Sequence, residues 1–563
     1  MTGRLTLDYG LRLVHQVPNH DGYYNNSNFF PDRWQASAAP RLYVYGCDNG
    51  VYPCAAANRR AMDPRTGQFL GSAAQASVIV GTMVPNVGSP DNGLILAGQG
   101  IAKTGFTYPA LRYAPRVGGA WDIRGNQRFV VRGATGLFFD RPPVNSIYGT
   151  TSNPPKSQNV TVRYGNLQDI SAAGLSTVAP PAITVFEYDN DYPASFQWNI
   201  GLQTLLPFTS AIDVSYTGQH SYDTQNTVNL NSIDLGAAYL PQFQDPTLAP
   251  NGVATSLVNT NVNQMRYYTG YANITQNRPR GWRTYHSIQV SWTRRMRDGV
   301  AFGFTDTISL SDTQQTAGRL QHNPDGSITE RGDQALADTL LGDNHPQTHV
   351  MRANFVWQLP RIAGATGAMK PLAALANDWS LAGIWSGTSG ASYSVGLNYV
   401  SGGGNTANVA LTGSPDFAPR AVIVGDPGSG CSSDPYRQFN TAAFQGALAG
   451  SAGLDSGAGY LRGCFISSLD LSISRTIRVA GSKAVQLRLD LFNAFNQAGI
   501  TDRNTTMNLA NTSAAASSTI TNLPYDASGN LIPSLSLPRN AGFGVATNYQ
   551  VPRSVQAQIR FSF

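Results

Sequence analysis

The chain has 563 residues, a formal net charge of +6 and a sequence pI near 9.0, yet only 13% of its residues are charged. That share is about half the norm for a soluble domain. No run approaches the roughly 18–20 apolar residues of a membrane-spanning helix. The longest basic cluster, Arg294, Arg295 and Arg297, is small and sits beside a turn, so no nucleic-acid partner is expected.

Glycine (57), tyrosine (25) and phenylalanine (23) are abundant, and Asn, Ser and Thr fill the intervals between apolar segments. Such residues suit strands joined by turns and polar loops. Taken in chain order, the dominant signal is period-two alternation. Leu5, Leu7, Tyr9, Leu11 and Leu13 share one face, and Arg4, Thr6, Asp8, Gly10 and Arg12 the other. Trp121 and Ile123 lead to a turn at Gly125–Gln127 and on to Phe129, Val131, Leu137 and Phe139. Phe196, Trp198, Ile200 and Leu202 alternate with Gln197, Asn199, Gly201 and Gln203. After a turn at Pro207–Thr209, Ile212, Val214 and Tyr216 return, which makes a hairpin. Ile288, Val290 and Trp292 reach a turn at Asp298–Gly299 before Phe302 and Phe304. Met351–Leu359 and Trp379–Trp385 add two runs. Leu469, Leu471 and Ile473 precede Val485, Leu487, Leu489 and Leu491, with Gly481 and Ser482 near the turn. Last, Val555, Ala557, Ile559, Phe561 and Phe563 alternate with Ser554, Gln556, Gln558, Arg560 and Ser562.

The connections alternate as well. Tight turns join the hairpins, and long polar segments at 17–109, 142–193, 219–284, 311–346, 391–463 and 498–552 separate them. Long loops at one end and short turns at the other mark a membrane-spanning barrel. The reading is all-β: an antiparallel up-and-down transmembrane β-barrel, partial, of about 12 strands. Residues 1–563 show no internal domain boundary. The stretch 362–376, rich in Ala, Gly and Leu, is a short helix or an irregular connection on the short-turn side.

A soluble sandwich would share the alternation. It would bury Trp121, Trp198, Trp292, Trp357, Trp379 and Trp385, which a barrel places in interfacial girdles. The opposite face carries Arg4, Asp8, Arg12, Gln197, Asp213, Arg352, Asp470, Arg488, Asp490 and Arg560, which a barrel turns into a wet lumen. Loop asymmetry and the terminal Phe563 favour the barrel.

Candidate chemistry is sparse. Cys47 and Cys54 lie in one turn-rich loop and Cys431 and Cys464 bracket another, which fits disulfides in an oxidising compartment, free cysteines being the alternative. Gly98–Thr104 resembles a phosphate loop but has Ala102 where glycine must precede Lys103. His345 and His349 have a metal-ligand spacing, but Pro346 intervenes where a strand begins. Glu187, Asp189 and Asp191 crowd one loop without a calcium-loop pattern, which makes a solvated turn. Gly387–Ala391 fails the nucleophile-elbow pattern at its last position. Neither catalysis nor a cofactor or metal is expected.

The segments Gln486–Asn496 and Arg553–Phe563 resemble the last two strands of TonB-dependent outer-membrane receptors, and more closely those of the Oar-like group. Leu5–Arg12, Val131–Arg141 and Gln197–Gln203 fit the same family, so the resemblance covers essentially the whole chain. It implies a bacterial outer-membrane location, lipid contact and uptake of a substrate the sequence does not identify. It also implies a C-terminal strand (Val555, Ala557, Ile559, Phe561, Phe563) read by the barrel-assembly machinery. A TonB-type energising complex would act only on the intact protein. The family's barrel has about 22 strands around an N-terminal plug. This sequence shows no plug, TonB box, regulatory-like domain or export signal, so Met1 is expected to be an internal start and the chain the C-terminal portion of the barrel. A passive porin-like channel, a barrel-anchored surface adhesin and a soluble β-rich binding protein are the alternatives.

Overall fold

The computed structural model describes residues 3–563 apart from 142–143, 164–167, 170–174, 250–260, 315–318, 324–327, 332–346, 364–365, 367–368, 400–403, 449, 452–456, 481–482 and 511–517. Twelve strands form one antiparallel ladder in chain order. They are β1 (Leu5–Val14), β2 (Arg112–Asp122), β3 (Phe129–Phe139), β4 (Ala194–Leu206), β5 (Ser210–Asn229) and β6 (Ile274–Arg297). The ladder continues through β7 (Val300–Gln314), β8 (His349–Gln358), β9 (Trp379–Thr388), β10 (Ile466–Ala480), β11 (Lys483–Phe492) and β12 (Ser554–Ser562). Among the described residues no pairing joins β1 to β12, so the ladder has two edges.

The turns at one end follow from their residues. The Asp122 carboxylate accepts from the backbone N–H of Gly125 at 2.9 Å and of Gln127 at 2.7 Å. Phe208 and Thr209 both have positive φ, as do Asp298 and Gly299, the geometry that matches the twist of two-residue hairpins. The stretch 362–376 forms a helix over Met369–Ala376, and the Trp379 indole N–H donates to the Leu375 carbonyl at 2.8 Å.

The expected loop 219–284 needs correction. β5 and β6 are 20 and 24 residues long, so they stay paired well beyond the roughly 9–11 residues a membrane crossing uses. The connection between them shrinks to 230–273. The signal is lost because the register shifts around Thr224, where Asp223 has φ 52°. A bulge breaks the two-residue period. Opposite it stands Gly281, where a Cβ would lie 2.4 Å from the Thr224 hydroxyl. The parallel strand Ile183–Phe186, which pairs with the start of β6 at Ile183↔Ile274, carries no sequence signal of its own. β7 likewise runs on to Gln314, inside the segment expected as a loop from 311.

The buried core does not lie against the twelve strands. Their apolar side chains are exposed: Leu7 at 51%, Ile200 at 57% and Ile559 at 63%. The buried apolar residues of the strands, among them Val14, Ala114, Ala194, Val228 and Ile274, sit at the long-loop ends. The other buried clusters belong to the long connections. A continuous exposed apolar band on a ladder whose core lies elsewhere is a surface made for lipid.

Candidate functional site

Three features build the site: a polar wall, a packed canopy of loops and a cavity within the canopy. The wall follows from register. Asp8 pairs with Gly118, Gly10 with Arg116, Arg116 with Gly136, and Gly136 with Gln197. Cross-strand partners share a face. The polar face therefore adds Arg116 and Arg132 to the residues read from alternation. Both were missed because Pro115 and Gly118–Gly119 obscure the alternation in β2, and Gly133 and Gly136 in β3. Pro115 is tolerated because it pairs only with Leu11, the ladder to β3 starting at Arg116. The Arg116 guanidinium lies over the Phe138 ring, 4.4 Å from its centroid. Arg488 pairs with Asp490 at 2.9 Å along the same strand.

Opposite the wall, aromatic side chains gather at two heights. Trp292 packs edge-on against Phe302 with 5.1 Å between centroids, near the short turns. Trp198 lies 5.4 Å from Phe196 and 5.8 Å from His286, nearer the long loops. These are the girdles expected of a membrane barrel.

The canopy comes from the six long connections: loop 1 (15–111), loop 2 (140–193), loop 3 (230–273), loop 4 (315–348), loop 5 (389–465) and loop 6 (493–553). Buried asparagines fasten them by imitating backbone, Asn153 between loops 1 and 2 and Asn231 within loop 3. Asn153 donates to the carbonyls of Ser27 at 3.2 Å and Thr184 at 2.7 Å, and accepts from Thr184 N–H at 3.1 Å. Asn231, fully buried, donates to the carbonyls of Tyr268, Tyr271 and Ala272 and accepts from Tyr268 N–H. Ion pairs add Arg59–Asp245 between loops 1 and 3, and Arg266–Asp416 at 3.3 Å between loops 3 and 5. Ser232 of loop 3 donates to Leu320 of loop 4 at 2.8 Å. Gly396–Tyr399 of loop 5 pairs in parallel with Thr506–Leu509 of loop 6. Burial pushes the phenols of Tyr268, Tyr393 and Tyr399 up to about 12.

Within this canopy a cavity of about 980 Å³ opens between the segment after β1 and the helical turn Val144–Tyr148. Val17, His20 and Asp21 form one wall, and Ile147, Tyr148 and Lys156 the other. Ile147 is buried in a cluster with Phe106 and Phe186, which anchors that wall. The Asp21 carboxylate accepts from the N–H of Asn25 at 2.8 Å and of Tyr23 at 3.3 Å. The Asn25 backbone bond, foremost, holds its pKa below the ordinary carboxylate value. No sequence motif marks these residues, which lie more than a hundred positions apart.

A family model described as outer membrane beta barrel domain matches residues 1–556. The chain belongs to that outer-membrane barrel family. Its place is therefore the bacterial outer membrane, and its apolar face meets lipid. No curated protein matches the chain. Among solved structures, the barrel is similar to a mutant of the ferric enterobactin receptor PfeA from Pseudomonas aeruginosa, at 10% identity and a TM-score of 0.34, over 80% of this chain and 40% of that one. It is similar to the outer membrane transporter YddB from Escherichia coli, at 10% identity and a TM-score of 0.34, over 70% and 38%. It is also similar to the siderophore receptor PirA from Acinetobacter baumannii, at 9% identity and a TM-score of 0.32, over 70% and 38%. The chain thus spans about two fifths of the length of these proteins.

The barrel gives the other sequence candidates structural surroundings. Cys47 and Cys54 are bonded, with Cα atoms 5.9 Å apart, and so are Cys431 and Cys464, at 5.0 Å. Gly98–Thr104 runs through turns with no helix after it. Its Ala102 N–H donates to the Tyr188 hydroxyl at 3.3 Å, and Lys103 lies 5.7 Å from the Tyr24 ring centre. His345 lies outside the described residues, and His349 contacts Asp306 at 3.0 Å. The acidic loop is not merely solvated: Glu187 pairs with Arg280, Asp191 with Arg112, and Asp189 accepts from Thr107. Ser389 closes the top of β8, its N–H donating to the His349 carbonyl at 3.0 Å and its hydroxyl accepting from His349 N–H at 2.9 Å. Arg294 donates to the Arg297 carbonyl at 3.2 Å beside the Asp298–Gly299 turn. On β12, Val555, Ala557, Ile559 and Phe561 pair with Leu491, Leu489, Leu487 and Val485, and Phe563 is 91% exposed.

Proposed function

We propose that this chain is the loop-bearing C-terminal part of a TonB-dependent receptor of the Oar-like group, which takes up a substrate in the intact protein. The observation that carries the reading is the canopy: all six long connections are fastened to one another above the polar wall. Loops cross-linked this way form a preorganised capture surface, which lowers the entropic cost of binding. In this reading the canopy binds substrate, and a plug supplied by the intact protein moves when a TonB-type complex pulls on it. β12, ending in Phe563, serves as the strand the barrel-assembly machinery recognises. The barrel performs no catalysis of its own.

The test compares solute depletion by cells with and without the gene, each with and without an uncoupler of the proton gradient. Energy-dependent depletion that requires the gene supports uptake. Depletion that persists under the uncoupler would replace the receptor with a passive channel. Loss of surface attachment without any change in uptake would replace it with an adhesin.

A further inference from the structure

We infer that the cavity between Val17–Asn25 and Ile147–Lys156 is a binding site for a neutral oligosaccharide. The inference rests on reading the canopy as a capture surface, and it names the class of substrate captured. Size comes first. At about 980 Å³ the cavity stands at the upper end of small-ligand sites, which run from about 300 to 1,000 Å³. It therefore takes a chain of several rings rather than an ion or a single small metabolite.

Charge comes second. The lining offers one carboxylate, Asp21, and one ammonium, Lys156, whose charges balance. An anionic ligand would face Asp21, which is held ionised by its backbone donors, and a cationic ligand would face Lys156. A ligand without charge meets no such penalty and finds acceptors and donors in Asn19, Asp21, Thr151 and Lys156.

Shape comes third. Tyr148 is 67% exposed on a wall anchored by buried Ile147, so its ring offers an open platform. Across the cavity stands the His20 ring, backed outside the lining by Tyr24 at an interplanar angle of 10° and 6.2 Å between centroids. Flat aromatic surfaces with polar groups between them match a sugar ring, which has C–H faces and a rim of hydroxyls.

The experiment uses the full chain in detergent micelles on an array of immobilised neutral, acidic and amino oligosaccharides. The expected result is retention on at least one neutral glycan. Tyr148→Ala should weaken it about tenfold, as loss of an aromatic contact does. Asn19→Ala should also weaken it, and Tyr52→Ala, at a residue that is 46% exposed between the bonded Cys47 and Cys54 and does not line the cavity, should leave it unchanged. Because Tyr148 is exposed, its truncation should leave the thermal transition in place, which separates lost binding from lost folding. Retention only on charged glycans, no retention at all, or retention indifferent to Tyr148→Ala would overturn the site. Uptake assays separate the two readings. Neutral-glycan binding without energy-dependent uptake removes the receptor and keeps the site. Energy-dependent uptake undiminished by Tyr148→Ala removes the site and keeps the receptor.

Discussion

Asn28 and Phe186 exchange a reciprocal pair of hydrogen bonds: the Asn28 amide donates to the Phe186 carbonyl at 2.9 Å, and Phe186 N–H donates to the Asn28 side-chain oxygen at 3.0 Å. The two residues lie in loops 1 and 2, and Asn28 is 2% exposed. Its side chain thus completes a strand edge that has no backbone partner on that side.

Asn28→Ala should therefore loosen the contact between loops 1 and 2. It leaves the Phe186 N–H and carbonyl buried without that partner, at about 1–3 kcal/mol for each unsatisfied group. Proteolytic nicking between 15 and 111 should quicken while the barrel resists. An unchanged nicking rate would show that the amide has no such role.

The two disulfides close rings of different size, with sequence separations of 7 and 33. Chain entropy assigns about 2.5 kcal/mol to the smaller ring and about 4 kcal/mol to the larger. Replacing Cys431 and Cys464 by serine should lower the denaturant midpoint more than replacing Cys47 and Cys54. The reverse order would locate the canopy's weak point in loop 1.

Neighbouring residues on β4 test the assignment of faces. Ile200→Arg puts a charge into lipid and should cost about 2–4 kcal/mol in refolding into bilayers. Asn199→Arg, on the polar wall, should cost far less. Equal costs would mean that the apolar face does not meet lipid.

Alkali should loosen the canopy in a defined window. Tyr268, Tyr393 and Tyr399 move from an ordinary 10.0 up to about 12 through burial. A raised folded pKa means that their contribution is fully present below pH 10.0 and is lost as pH rises through about 12. Tyrosinate absorbance should appear in two phases, exposed phenols first, with the late phase coinciding with loop unfolding. A single phase near the ordinary value would show these rings to be solvated.

The strands were legible because their pattern is local. Phe196–Gln203 and Val555–Phe563 alternate residue by residue, and one exposed apolar face is enough to orient each strand toward lipid. Turns such as Asp298–Gly299 carry their geometry in their own residues. Fold class, strand order and the end at which the long loops gather follow from this.

What the tertiary structure decided lies where the period breaks or distance intervenes. The bulge at Thr224 hides the upper halves of β5 and β6 from any two-residue pattern. Asn28, Asn153 and Asn231 look like ordinary loop asparagines until carbonyls distant in sequence face them, Phe186 and Ser27 from another loop and Ala272 from the far end of the same loop. Asp21 and Tyr148 share a cavity only because loops 1 and 2 pack through Phe106, Ile147 and Phe186. Alternation reports which face of a strand meets lipid, whereas contacts between loops arise only when the chain has closed on itself and desolvated their polar groups together.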